Sequence, residues 1–231
     1  MIKKSISFIL IAIVFLALFL TLANDVPFGA NRTVVSAKYI YDGVQDTGAA
    51  NLVTAIVVNY RGFDTLGEVT VLFVAATGIG AVLYNMGNPV RKKREKTEAS
   101  LIVKTGSKVL FPIMLIFGAY VFIHGHLTPG GGFQGGAIIA TAFLFRYVSD
   151  TRYSIDHKKF TATESVVGMT FAMVGILGLL LTGYFLYNFL PNGSPGELLS
   201  AGIIPIIYIA IGIKVGAELT GIVDNMMGVE Q

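Results

Sequence analysis

The sequence predicts an all-α integral membrane protein with six transmembrane helices grouped two plus four, an additional short interfacial helix and both termini cytoplasmic. Three observations predict it. The composition is 54% hydrophobic against 13% charged, with a mean hydropathy of +0.70. The apolar residues fall in runs long enough to cross a hydrocarbon core of roughly 30 Å, and the basic residues gather beside the ends of those runs. The absence of cysteine removes disulfides and thiolate metal sites. A net charge of +3 with a pI near 9.0 does not call for nucleic acid, because the positives mark helix ends.

Residues Ile6 to Ala23 form a charge-free apolar run of 18 behind Lys3 and Lys4. It exceeds the roughly 7 to 15 residues of a secretory h-region and reads as a retained first helix. Asn24 to Thr47 is polar and punctuated by Pro27, Gly29 and Gly43, so it reads as a loop outside the bilayer. Ala49 to Asn59 is apolar but too short to cross, which suits an interfacial or half-inserted helix. Thr65 to Met86 is long enough for a second span. Four more follow at about Lys108 to Ile123, Gly135 to Tyr147, Glu164 to Leu190 and Leu199 to Val223.

The basic residues decide the count. With Ala49 to Asn59 not crossing, the cytoplasmic segments hold Lys3, Lys4, Arg91, Lys92, Lys93, Arg94, Lys96, Lys104, Lys108, Arg146, Arg152, Lys158 and Lys159. Only Arg32, Lys38 and Arg61 lie outside, and Lys214 sits in a span. The basic stretch 88–100 is then a cytoplasmic linker between a two-helix unit, 1–87, and a four-helix unit, 101–231.

Between the third and fourth spans runs His124 to Gly136, which holds six of the 27 glycines. Gly130, Gly132 and Gly135 fit a dinucleotide fingerprint, but that fingerprint needs a strand before it and a βαβ crossover after it. Here both flanks are apolar spans, and the stretch reads as a tight hinge in which Pro129, Gly130, Gly131, Gly132, Gly135 and Gly136 allow close packing. Thr128 and Gln134 are candidates to satisfy its open backbone groups. His124 and His126 are two apart and on different sides of a helix; they end the third span or take part in proton transfer, and no metal site is expected of them.

Charges inside spans are costly, about 2.5–3.5 kcal/mol on insertion scales, and mark ion paths or structural pairs. Glu68, Lys214 and Glu218 qualify. Lys214 and Glu218 are four apart on one helix face and can pair; Gly212 and Gly216 beside them let another helix approach. Glu68 has no basic residue one turn away and is either a relay carboxylate or an acid in a first helical turn. No nucleophile triad, phosphate loop or catalytic carboxylate pair is present, so no catalytic, cofactor-binding or metal-binding residue is expected and the chain is not read as an enzyme.

His-Gly-His-Leu-Thr-Pro-Gly-Gly-Gly-Phe-Gln-Gly-Gly at 124–136, with Ile-Gly-Ile-Lys-Val-Gly-Ala at 211–217, resembles the B subunit (MnhB/MrpB family) of multisubunit Mrp-type sodium/proton antiporters over roughly Leu101 to Met227. Arg-Gly-Phe-Asp-Thr-Leu-Gly-Glu at 61–68 is similar to the C-terminal tail of the antiporter A subunit. The combination resembles the antiporter modules of archaeal membrane-bound hydrogenase and sulfane-reductase complexes. The resemblance implies a membrane subunit without cofactor, partnered by other antiporter-module subunits in the lipid bilayer, scaffolding and partly lining a Na+ and H+ path. It implies a path role for Glu68 and Lys214, while Glu218 stands where the family mainly carries uncharged residues. A self-contained secondary ion transporter is the alternative.

Overall fold

The computed structural model describes residues 11–21, 33–85, 99–150, 153–155 and 157–227. Among these the regular elements are all helical: α1 (Ile11–Thr21), α2 (Val34–Thr47), α3 (Leu52–Thr54) running on into a π-helical turn (Ala55–Tyr60), α4 (Gly62–Asn85), α5 (Leu101–Ile123), α6 (Gly132–Ser149), α7 (His157–Thr182) and α8 (Ile204–Met227). Among the described residues, four stretches are long and apolar enough to cross a membrane: Gly62–Leu83 within α4, α5, Phe160–Thr182 within α7, and α8. The chain divides into two compact units, Met1–Lys38 and Tyr39–Gln231.

In the first unit, the described part of the expected first span is α1, whose side chains are exposed all round. Where a polar loop was expected, residues 34–47 form a helix instead. Val34, Ala37, Tyr41 and Val44 recur at helical spacing, and Ala37 N–H donates to the Thr33 carbonyl at 2.7 Å. The polar residues between them mask that periodicity.

In the second unit α8 is the central helix and the most deeply buried of the four membrane-length helices among the described residues. It packs on α4, α5, α6 and α7, and Ile204, Ile207, Tyr208, Ile211 and Val215 form the middle of the core with Val58, Val69, Phe171 and Val174. Helices α5 and α6 run antiparallel, whereas α6 and α8 run parallel. The start of α5 meets the end of α6 through Arg146 Nη1–H donating to Ser107 Oγ at 3.3 Å, and the ends of α6 and α8 meet through Tyr147 O–H donating to Asp224 Oδ1 at 2.6 Å. The expected basic positions Lys104, Lys108 and Arg146 therefore share one end of the bundle.

The expected interfacial helix packs into protein. Ala49, Ala55 and Val58 are buried, and the π register is set by Arg61 N–H donating to the Ile56 carbonyl at 2.8 Å. Thr65 on α4 donates to the Val57 carbonyl at 2.7 Å, satisfying an acceptor in the irregular turn. Two span boundaries also differ from expectation. α7 stops at Thr182, capped by Gly183 at φ +85° whose N–H donates to the Leu179 carbonyl at 2.9 Å. Residues 183–203 then run without regular structure, and α8 starts at Ile204. Tyr184 to Leu190 is apolar enough to look like a continuing helix, yet its apolar groups are used sideways: the Phe185 ring and the Tyr187 backbone sit on Gly175 and Gly178 of α7. Asn188 fixes the return, accepting from Ile203 N–H at 2.9 Å and donating to Asn192 Oδ1 at 2.9 Å.

Candidate functional site

The glycine-rich stretch is split by the structure. His124 to Gly131 is the connection, while Gly132, Gln134, Gly135 and Gly136 belong to the first turns of α6, so this helix begins earlier than the expected fourth span. Gly135 faces α5, where a Cβ would meet the Gly118 carbonyl oxygen at 2.6 Å. Gly136 faces α8, where a Cβ would meet the Gly212 oxygen at 2.8 Å and Gly216 N at 2.9 Å. Gly132 faces the same helix one turn earlier, against the Ile211 side chain and the Tyr208 carbonyl, so it is Gly136 that meets Gly212 and Gly216 backbone to backbone. The decoy cofactor fingerprint is a helix-packing face.

Of the polar groups expected to serve this loop, the Thr128 side chain does so locally, its Oγ1–H donating to the His124 carbonyl at 3.3 Å, while Gln134 lies exposed on α6. Asn51 and Thr54 at α3 also hold it: Asn51 Nδ2–H donates to the Gly125 and Thr128 carbonyls at 2.8 and 2.9 Å, and Thr54 Oγ1–H to Gly125 at 2.6 Å. Asn51 N–H also donates to the His126 carbonyl at 2.9 Å, and the Asn51 Oδ1 caps α3 by accepting from Val53 N–H at 3.2 Å. Asn51→Ala is expected to lower stability by about 1–3 kcal/mol, from loss of the α3 cap and of two hydrogen bonds to the loop, read as a lower thermal midpoint of the detergent-purified chain. Nothing in the local sequence around Asn51 points to partners more than seventy residues away.

The two loop histidines part company. His124 turns back over Tyr120, ring centroids 4.2 Å apart, with Nδ1 3.0 Å from the Tyr120 carbonyl. His126 is fully buried and neither ring nitrogen has a hydrogen-bond partner; the backbone of Glu197 and Leu198 faces the ring without a well-aligned bond. Burial holds the His126 imidazole below its ordinary value, so the folded loop carries it neutral. A group whose folded pKa is lowered contributes stability that is present above the unfolded value, about 6.5 for histidine, and lost as pH falls toward the folded value. The thermal midpoint of the wild-type chain is therefore expected to drop on acidification below about pH 6.5 by more than that of His126→Leu. Among the described residues no three metal-ligating side chains converge.

Lys214 lies between α4, α7 and α8. Its Nζ donates to Glu218 Oε1 at 2.6 Å, stands 3.6 Å from Glu164 Oε1 and lies 5.2 Å from the centre of the Phe73 ring. The sequence foresees the Lys214–Glu218 pair but not Glu164, which reads there as the boundary residue of a span. Its partner is on another helix, so no spacing along the chain points to it. Glu68 is brought to neither. It sits on the exposed face of α4, within electrostatic reach of Tyr208 on α8, and the chain itself does not bury it.

Membrane-length helices packed on glycine around the charged cluster of Lys214 define a multi-pass membrane protein. The family described as a domain related to the MnhB subunit of Na+/H+ antiporter matches residues 102–221, and the MbhE family of MBH subunits matches residues 5–99. The chain belongs to the family of domains related to the MnhB subunit of Na+/H+ antiporters. An uncharacterized protein of Methanocaldococcus jannaschii is 34% identical over 196 residues, 74% of each chain. A putative antiporter subunit mnhB2 of Staphylococcus haemolyticus is 32% identical over 39% of this chain and 67% of its own. Among solved structures, a chain of the membrane-bound sulfane sulfur reductase, an archaeal respiratory membrane complex, superposes with a TM-score of 0.77 at 50% identity, covering 98% of this chain and 99% of that one. A chain of the Mrp complex from Dietzia sp. DQ12-45-1b shares the fold, with a TM-score of 0.71 at 22% identity. This chain covers 26% of its length.

Proposed function

We propose that this chain is a non-catalytic subunit of a multisubunit cation/proton antiporter module, scaffolding and partly lining a Na+/H+ translocation path within a redox-driven archaeal respiratory complex. The observation that carries the reading is the near end-to-end correspondence, at 50% identity, with a chain of an archaeal respiratory membrane complex. In this reading the chain itself holds no cofactor. It crosses the membrane six times with both termini cytoplasmic, α1 and α6 joining the four longer helices. The end carrying Lys104, Lys108 and Arg146 faces the cytoplasm. The basic linker 88–100 joins an A-tail-like unit, 1–87, to an MnhB-like unit, 101–231.

Glu68 supports a partnered subunit over a self-contained transporter. A carboxylate on the outer face of a membrane helix is costly against lipid, and this chain leaves it uncovered, so a neighbouring antiporter subunit or a water-filled seam is its natural cover. The test is Glu68→Gln in the assembled complex in membrane vesicles. We expect sodium-dependent proton movement to fall at least about tenfold, the equivalent of 1.4 kcal/mol, with assembly intact; undiminished transport would reduce Glu68 to a structural acid.

A further inference from the structure

We propose that Glu164, Lys214 and Glu218 form a proton-binding site, with Oε2 of Glu218 as the atom that takes up and releases the proton. The inference rests on the transport reading above for its use, but its geometry is this chain's own. Glu218 has a side chain 1% exposed, against 12% for Lys214 and 25% for Glu164. Lys214 occupies one oxygen of Glu218, at 2.6 Å; the other, Oε2, is buried with no hydrogen-bond partner. An unmet buried acceptor is costly, the more so when charged, so Oε2 is the atom of the cluster placed to take up a ligand.

The donor set selects a proton. A metal cation needs several oxygens at once, whereas here an ammonium already sits on the partner oxygen, and among the described residues no three metal-ligating side chains converge. A proton needs one oxygen. Two carboxylates share one lysine, so the cluster with all groups ionised is negative by one charge, which a single proton cancels. The charged groups reaching Glu218 are Lys214 on its own helix and Glu164 from α7; α4 contributes the uncharged Phe73 beside Lys214.

The same arrangement supplies a route. Glu164 is the rim of the cluster and Glu218 its floor, with Lys214 3.6 Å from one and 2.6 Å from the other. Gly168 leaves the lysine stem unobstructed on the α7 side, where even an added Cβ would come no nearer than 3.7 Å. Uptake forms the O–H bond at Oε2 with a proton from water at the Glu164 rim, and Lys214, remaining an ammonium, turns toward Glu164. Release breaks that bond, returns the proton to water, and Lys214 comes back to Glu218.

Infrared difference spectroscopy of the full chain in lipid nanodiscs reads the proton directly. The wild-type chain is expected to show one carboxylic-acid C=O band that grows as pH falls, shifts on 13C-glutamate labelling, and is lost in Glu218→Gln. Glu164→Gln, which leaves Lys214 to Glu218 alone, is expected to keep the band and to need lower pH for it. A wild-type chain without such a band across the pH range in which it stays folded would overturn the proposal, as would a band that survives Glu218→Gln. The isotope shift needs no variant, so misfolding of a mutant does not decide the matter. A band behaving as expected on a chain that purifies without antiporter partners would support the proton site while overturning the subunit reading, so the two fail separately.

Discussion

Gly136→Val is expected to prevent formation of the folded bundle. The first atom added at this position meets backbone, the Gly212 oxygen at 2.8 Å and Gly216 N at 2.9 Å, together with Val215 Cβ at 2.8 Å. Side chains move aside from an intruding methyl group, whereas helix backbone moves only by shifting the helix. Here that helix is α8, which also carries Lys214 and packs on every other long helix of its unit. The cost reaches or exceeds the roughly 1–3 kcal/mol of ordinary overpacking. The measurement is the yield of monodisperse chain in detergent with its thermal midpoint, and the internal comparison is Gly106→Ala. Nothing stands within 4 Å of a Cβ at Gly106, so the better helix propensity of alanine is expected to raise stability by up to about 1 kcal/mol. A Gly136→Val chain that folds with wild-type stability would mean that α6 and α8 do not meet on their glycines.

Lys214→Met has the second largest expected effect. Methionine keeps the length of the stem and removes the charge that faces Glu218 and Glu164. Breaking a buried pair from one side costs about 3–5 kcal/mol when the remaining charge has nowhere to go. With a proton site at Glu218, that charge can be cancelled from solution. The deficit relative to wild type is therefore expected to be largest at high pH and to shrink as pH falls, and Lys214→Met combined with Glu218→Gln is expected to recover most of it. Chemical denaturation of the reconstituted chain at a series of pH values measures this. A deficit that does not change with pH would contradict protonation of Glu218.

The parts of this molecule legible in its sequence are those whose cause is local. A run such as Leu101 to Ile123 announces a span by its own apolarity, and Lys214 with Glu218 announces a pair by lying one turn apart. Residues 34–47 were not legible as a helix because Lys38, Asp42 and Gln45 interrupt the apolar residues in sequence without interrupting them on the helix face. Tyr184 to Leu190 misled in the opposite direction: its apolarity, sufficient for a membrane helix, serves contact with Gly175 and Gly178 in a segment without regular hydrogen bonding. Asn188 supplies side-chain hydrogen bonds to the irregular backbone of 183–203, and Asn192 a side-chain bond to Asn188.

The candidate site shows the same division. Glu68 was legible as a charge out of place, but a single chain cannot say what faces it. Glu164 and Asn51 were not legible at all, since their roles come from helices and loops distant in the chain. The glycine motif was legible as a close approach, and the structure adds the partners: α5 on the Gly135 side and the Gly212–Gly216 face of α8 on the other. It also removes Gly132 to Gly136 from the loop, which leaves His126 as the buried side chain of the connection.

Whether this chain works as one subunit of an antiporter module is read by affinity purification of the tagged chain from native membranes in mild detergent, with mass spectrometry of what remains bound. A stable hetero-oligomer is expected, containing the other membrane subunits of a cation/proton antiporter module joined to redox subunits. A chain that purifies only with copies of itself, and that moves cations and protons alone when reconstituted, would contradict the subunit reading.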